Sequence, residues 1–152
     1  MFSLLRRKKQ FFKPVEIQLI TEAVKRAEQR TSGEVRIFVE SRCSFVDAID
    51  RAKEIFFSLK MENTGQRNAV LIYLAIKDRQ VAVYGDEGIH TKVGEEYWRN
   101  TVNLMINCFR QGSYAQGLEQ SITQIGEALN THFPYDGETD KNELPDDIVF
   151  GK

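Results

Sequence analysis

The sequence predicts an α/β fold in which helices pack on a small mixed sheet, with elements in the order α-β-α-β-β-α-α. Three observations lead to it. Residues 69–76 are uninterrupted apolar or aromatic residues, a run too short for a membrane span and typical of a central strand buried on both faces. The polar residues 77–80 and the apolar run 81–84 predict a hairpin return. Segments with apolar residues at helical spacing flank these strands on both sides.

The first helix and the first strand precede the hairpin. Pro14 suits a first helical position, and apolar residues then recur at helical spacing as far as Arg30. Residues 34–40 alternate between apolar and polar side chains except at Phe38, which predicts a half-buried strand near an edge of the sheet. A second helix is predicted from Ala48 to about residue 60. Such a strand–helix–strand unit pairs its strands in parallel, so both should begin at one end of the sheet.

Two more helices follow the hairpin. Residues 89–93 are predicted to be a connection, and a broad apolar set then predicts a helix from about residue 95 to Arg110, wedged between neighbouring elements. Gln111 and Gly112 end this helix. Apolar residues recur every three or four positions from Tyr114 onwards, and they predict the last helix.

The two ends of the chain differ in charge. Residues 1–13 combine basic with apolar residues, which is compatible either with a segment that contacts anionic lipid or with an arm packed on the domain. From Pro134 onwards the chain is acidic, with few apolar residues before 148–150, and this predicts a mobile tail. We therefore divide the chain into a basic N-terminal arm (1–13), an α/β domain (14–133) and an acidic C-terminal tail (134–152).

The overall composition excludes several classes of protein. A chain of 152 residues, 41% hydrophobic and 28% charged, is typical of one globular domain. A net charge of -1 provides no global field to attract nucleic acid, so no nucleic-acid partner is expected. Cys43 and Cys108 lack metal-type spacing and fit a reducing compartment. Because the sequence shows neither a signal-peptide pattern nor a membrane span, we expect a cytoplasmic protein.

Polar residues converge at one end of the predicted sheet. The parallel crossover brings Glu34 near Asn68, and the antiparallel return carries Asp86 and Glu87 to the same end. Carboxylate oxygens on loops suit hard cations such as Ca²⁺ or Mg²⁺. We therefore predict a divalent-cation site and a pocket around it. The predicted ligands are Glu34, Asp86 and Glu87, and the predicted pocket residues are Ser32, Arg67, Asn68 and His90.

A simpler interpretation of these residues stays open. Glu34 could pair with Arg67, Asp86 could belong to a turn, and Glu87 could face the solvent. His90 could act as a general acid, since an unperturbed imidazole titrates near neutral pH, or it could be a structural hydrogen-bond partner. The sequence contains no nucleophile elbow, no phosphate-binding P-loop and no zinc-protease motif, so no catalytic residue is assigned.

Four spaced segments of the chain form a recognisable series. They are Ser32-Gly33-Glu34-Val35-Arg36-Ile37, Arg67-Asn68-Ala69-Val70-Leu71-Ile72, Asp78 to Gly88, and Phe109 to Leu118. In this order they resemble the TPM domain family, and the resemblance covers roughly residues 14–133. It implies a three-layer α/β/α sandwich, divalent-cation binding, and weak acid phosphatase activity like that of a related thylakoid phosphatase.

A second function of a different class is compatible with the charged ends. A non-enzymatic adaptor or assembly module would dock on a protein partner or on an anionic membrane surface. It would use the basic N-terminal arm and the acidic tail with its apolar tip, residues 148–150.

Overall fold

The computed structural model of the chain describes residues 11–44, 46–135 and 148–151. These residues form five helices and four strands. The helices are α1 (Pro14–Glu28), α2 (Ala48–Ser58), α3 (Glu87–Val93), α4 (Glu95–Arg110) and α5 (Tyr114–His132). The strands are β1 (Glu34–Glu40), β2 (Ala69–Ala75), β3 (Gln80–Gly85) and β4 (Ile148–Phe150).

The four strands form one mixed sheet in the order β3-β2-β1-β4. β1 and β2 run parallel, with Glu34 opposite Ala69, and α2 forms the crossover between them. β2 and β3 run antiparallel, with Val70 opposite Gly85. The predicted crossover and hairpin are confirmed, so β1 and β2 begin, and β3 ends, at the same end of the sheet.

The helices cover the sheet on both faces, and the predicted three-layer α/β/α sandwich is confirmed. On one face, alternate residues of β1 and β2 pack against α1 and α5 in the larger core, with Ile37, Ile72, Val24 and Leu118 at 1% exposure or less. On the opposite face, the other residues of β2 pack against α2 around Phe56. Since the whole of β2 is buried, its uninterrupted apolar sequence reflects a strand between two helical layers.

The first strand differs from its prediction. We expected a half-buried strand near an edge, but six of the seven residues of β1 are buried, including Glu34, Arg36 and Glu40. Two features explain the difference. β4 pairs in parallel along the outer side of β1, and Glu40 is satisfied within the protein by Arg51 and Tyr73. A polar residue in an alternating pattern need not face water when it has a buried partner.

Two elements were not predicted as such. Residues 89–93, predicted to be a connection, belong to α3, which begins after the N-cap residue Asp86. Residues 148–150, placed in a mobile tail, form β4 because apolar side chains there can join the larger core. The predictions of a basic arm over residues 1–10 and of a mobile acidic tail over residues 136–147 concern residues outside the described ranges. Among the helices described, none has both the length and the apolar character needed to cross a membrane.

Candidate functional site

The predicted site residues meet at the end of the sheet where β1 and β2 begin. Glu34 lies opposite Ala69 in the parallel ladder, and the backbone nitrogen of Asp86 donates to the carbonyl oxygen of Ala69 at 2.9 Å. Glu34 and Asp86 therefore flank the first residue of β2, two strand spacings or roughly 10 Å apart in backbone position. We call the edge that carries Glu34, Asp86 and Glu87 the acidic edge.

The geometry of the acidic edge is dominated by Arg67. Its guanidinium contacts both oxygens of Asp86, with Nε 2.7 Å from Oδ2 and Nη2 2.9 Å from Oδ1, and its Nη1 lies 3.0 Å from Oε1 of Glu87. The Asp86 side chain is 1% exposed, whereas those of Arg67 and Glu87 are 38% and 69% exposed. Hydrogen bonds to Asp86 raise the pKa of Arg67 above its usual range.

The backbone holds this arrangement in place. Asp86 is the N-cap of α3, and its Oδ1 accepts from the backbone nitrogen of Glu87 at 2.8 Å. The nitrogen of Gly88 donates to the carbonyl oxygen of Arg67 at 2.8 Å. A Cβ at Gly88 would lie 2.2 Å from the carbonyl oxygen of Gln66. Only a glycine lets the loop and the first turn of α3 approach so closely.

A polar cluster adjoins the acidic edge. The hydroxyl of Ser32 accepts hydrogen bonds from the side-chain amides of Asn68 and Gln66, each at 3.2 Å. Asn68 is 1% exposed and Ser32 is 4% exposed. These bonds tie the residues before β1 to those before β2, so Ser32 and Asn68 have a clear structural role at this end of the sheet.

His90 lies further along α3, and its backbone nitrogen donates to the carbonyl oxygen of Asp86. Its Nδ1 accepts a hydrogen bond from Nε1 of Trp98 at 3.0 Å. The acceptor role assigns the imidazole proton to Nε2. Glu87, His90 and Trp98 are among the residues that line a groove of about 430 Å³, a volume suited to a small ligand.

The structure separates the predicted site into parts. Arg67 joins Asp86 to Glu87, Ser32 joins Asn68, and Glu34 stands at the same edge on the far side of β2. In the simpler interpretation Arg67 was assigned to Glu34, but the salt bridges of its guanidinium in the structure are with Asp86 and Glu87. No three His, Cys, Asp or Glu side chains of the described ranges are grouped closely enough to hold a metal ion.

Two contributors were missed from the sequence. Gln66 binds Ser32, and Trp98 binds His90 while its ring packs on Gly85, where a Cβ would lie 2.3 Å from the indole. The glycine at the end of β3 was an available signal, because a glycine in a strand often marks the close approach of another group. Its partner could not be identified, since Trp98 lies on a separate helix.

Comparisons with known proteins relate the chain to one family and to several solved structures. A family model of the TPM domain matches residues 5–128. The BA42 protein from the psychrophilic bacterium Bizionia argentinensis is 39% identical, with a TM-score of 0.84, over 93% of this chain and 97% of that chain. The chain has no significant match among curated proteins.

Two more distant solved structures share the fold alone. An N-terminal domain of a protein from P. gingivalis superposes with a TM-score of 0.68 at 15% identity, covering 82% of this chain and 80% of that one. The N-terminal domain of the cg2496 protein from Corynebacterium glutamicum does so with a TM-score of 0.59 at 17% identity, covering 78% and 74%.

Proposed function

This chain belongs to the TPM domain family. We propose that its acidic edge binds a divalent cation of the Ca²⁺ or Mg²⁺ type and supports slow hydrolysis of phosphomonoesters. The observation that carries the proposal is the Asp86 carboxylate, buried to 1% exposure and paired with a cationic group beside a second carboxylate, Glu87. Oxygen donors of this type are those that hard cations prefer.

The donor set fits such a cation in its chemistry, but its oxygens are engaged. Both oxygens of Asp86 and one oxygen of Glu87 contact the Arg67 guanidinium. A cation therefore reaches Asp86 only when that guanidinium moves away. The 38% exposure of the Arg67 side chain lets it move into solvent without crossing the core. We accordingly propose weak cation binding through Asp86 and Glu87, in competition with Arg67.

A bound cation would supply Lewis-acid polarisation of a phosphoryl oxygen. Side chains of the protein would bind and orient the substrate. The displaced Arg67 offers a planar set of donors that matches phosphate oxygens. His90, which lines the adjoining groove and carries its proton on Nε2, would donate a hydrogen bond to a phosphate oxygen. The 430 Å³ groove gives room for the alcohol part of a phosphomonoester.

The proposal is tested with Glu87→Gln, because Glu87 is exposed and its substitution leaves the core intact. Hydrolysis of p-nitrophenyl phosphate is measured with Ca²⁺, Mg²⁺ or Mn²⁺ and with EDTA, using Glu96→Gln as the matched control on an exposed position of α4. We expect metal-dependent turnover that Glu87→Gln lowers and Glu96→Gln leaves unchanged. Equal rates in wild type and Glu87→Gln would contradict the proposal. Backbone amide NMR titration with each ion reports cation binding separately from turnover.

A second candidate is the adaptor function. The observation that favours it is the anchoring of the chain just after the basic run Arg6 to Lys9: Phe12 is 2% exposed in the larger core, and the Phe11 ring contacts that of Tyr114. A basic segment attached so directly to a folded domain is suited to docking on an anionic membrane or an acidic protein partner. Flotation with anionic vesicles, compared between the full chain and a chain lacking residues 1–10, tests the membrane form of this proposal. Equal flotation of the two would exclude it.

A further inference from the structure

A second groove lies at the opposite end of the sheet from the acidic edge. It has a volume of about 560 Å³ and sits between the end of β2 with its hairpin turn and the junction of α4 with α5. Its apolar surface includes Ile76, Ile106, Phe109 and Tyr114, each only half-buried. The Phe109 and Tyr114 rings stack with centroids 4.7 Å apart. The groove therefore offers a preformed apolar surface with the volume of a small-molecule site.

Two arginines, Arg79 and Arg110, complete the lining of this groove, and both are exposed. Within the part of the chain that the structure describes, neither guanidinium has an ion-pair or hydrogen-bond partner. Among the residues that the structure describes, those that line the groove include no acidic side chain. The neighbouring carboxylate, Asp78, contacts Nη1 of Arg42 at 3.0 Å and the backbone nitrogen of Cys43 at 2.7 Å. Two positive charges thus border an apolar surface, and the described residues supply no countercharge there.

The fold gives a structural reason for an arginine at position 110 but not at position 79. Arg110 is the last residue of α4, where a positive side chain interacts favourably with the negative end of the helix. Arg79 occupies the hairpin turn with φ +54°, a conformation in which Gly or Asn is the usual residue. The fold gives no structural reason for a long cationic side chain at that position.

We propose that this arginine groove binds a small amphipathic anion, a single-chain molecule with an apolar body and one phosphate or carboxylate head. The half-exposed rings and aliphatic side chains would contact the body, and the two guanidiniums would bind the head, because Arg pairs with the planar arrangement of oxyanion oxygens. The site is separate from the acidic edge and needs no divalent cation.

The test uses three probes that report separately on binding of the anionic head and of the apolar body. Hexyl phosphate, inorganic phosphate and hexanol are titrated into ¹⁵N-labelled full chain in EDTA, and backbone amide shifts are followed. We expect saturable shifts around residues 74–79 and 106–114 with hexyl phosphate, and much weaker binding of the other two probes. Arg79→Gln with Arg110→Gln should weaken hexyl phosphate binding roughly tenfold or more, since charge-assisted hydrogen bonds to the head are lost.

Arg99→Gln serves as the matched control, because Arg99 is an exposed arginine of the same helix α4 that does not line the groove. It should leave the affinity unchanged. Three results would overturn the proposal: shifts outside the groove, undiminished affinity in the double variant, or hexanol binding as tightly as hexyl phosphate. Binding to bilayers of phosphatidylserine and phosphatidylcholine that the double variant abolishes, without binding of hexyl phosphate, would assign the surface to a membrane instead.

Discussion

The Arg67 guanidinium forms a bidentate pair with the Asp86 carboxylate, with N–O distances of 2.7 and 2.9 Å, and so holds the loop before β2 against the start of α3. Asp86 is 1% exposed and caps that helix as well. The Arg67 side chain therefore neutralises a buried carboxylate, and it also occupies the carboxylate oxygens that an external cation would need.

Replacing Arg67 with Gln should lower the melting temperature, because the Asp86 charge is left buried without its cationic partner. In the same variant Ca²⁺ should raise the melting temperature more than it does in wild type, since the competing guanidinium is gone. Differential scanning fluorimetry with Ca²⁺ or EDTA measures both effects. A variant that Ca²⁺ stabilises no more than wild type would argue against competition at this edge.

Gly88→Ala should destabilise the protein by roughly 2–3 kcal/mol, because the new Cβ would stand 2.2 Å and 2.5 Å from two backbone carbonyl oxygens of the loop before β2. Gly65→Ala is the matched control, since no atom lies within 4 Å of its Cβ position. Urea unfolding of both variants measures the difference. Similar stability of the two would show that the loop moves freely away from α3.

The buried Glu40 should make stability depend on pH. Burial alone would raise its pKa, but hydrogen bonds from Arg51 and Tyr73 outweigh burial and lower the pKa below 4.5. A lowered folded pKa stabilises the protein above about pH 4.5, and this stabilisation is lost as the pH falls through the folded value. Tyr73→Phe removes one of these hydrogen bonds and should cost about 1–2 kcal/mol at pH 7.

The stability difference between Tyr73→Phe and wild type should therefore narrow below pH 4.5, as urea unfolding at pH 7 and pH 3 would reveal. Tyr97→Phe is the matched control. The Tyr97 hydroxyl donates to the backbone carbonyl oxygen of Gln124, and burial raises the pKa of Tyr97 to about 12. Because no carboxylate accepts its hydrogen bond, the effect of Tyr97→Phe should be the same at both pH values.

Lys60→Gly should stabilise the protein by about 0.5–1 kcal/mol. Lys60 follows α2 with φ +57°, a left-handed conformation that disfavours side chains and that glycine adopts without strain. Lys53→Gly, at an exposed position inside α2, should instead destabilise by about 0.5–1 kcal/mol. Thermal unfolding of the two variants shows whether each substitution raises or lowers the stability. A loss of stability with Lys60→Gly would mean that the side chain itself contributes.

Ending the chain after residue 147 removes β4 and should lower stability by roughly 2 kcal/mol, since Ile148 and Phe150 no longer pack on the larger core. Amides of β1 should then exchange faster with solvent, because the strand becomes an edge. Hydrogen exchange measures this, with a chain lacking only Lys152 as the control. Unchanged protection of β1 would show that β4 contributes little to the sheet.

Local patterns in the sequence were enough to predict most helices and strands and the way the sheet strands connect. The apolar run of β2 required burial between two layers, the hairpin followed from its polar turn, and the parallel crossover placed Glu34 and Asp86 at one end of the sheet. These features depend on periodicity and chain direction, which neighbouring residues encode.

Which charged side chains pair with each other depends on the packing of the folded chain. Whether Arg67 pairs with Glu34 or with Asp86 depends on side-chain direction at a left-handed residue, and no periodicity encodes that choice. Glu40 can be buried because Arg51 from α2 and Tyr73 from β2 bind its carboxylate. β4 forms because it can pair with the side of β1 that β2 does not occupy. Contacts between residues distant in the sequence are set by the packing of whole layers, so the local sequence pattern does not predict them.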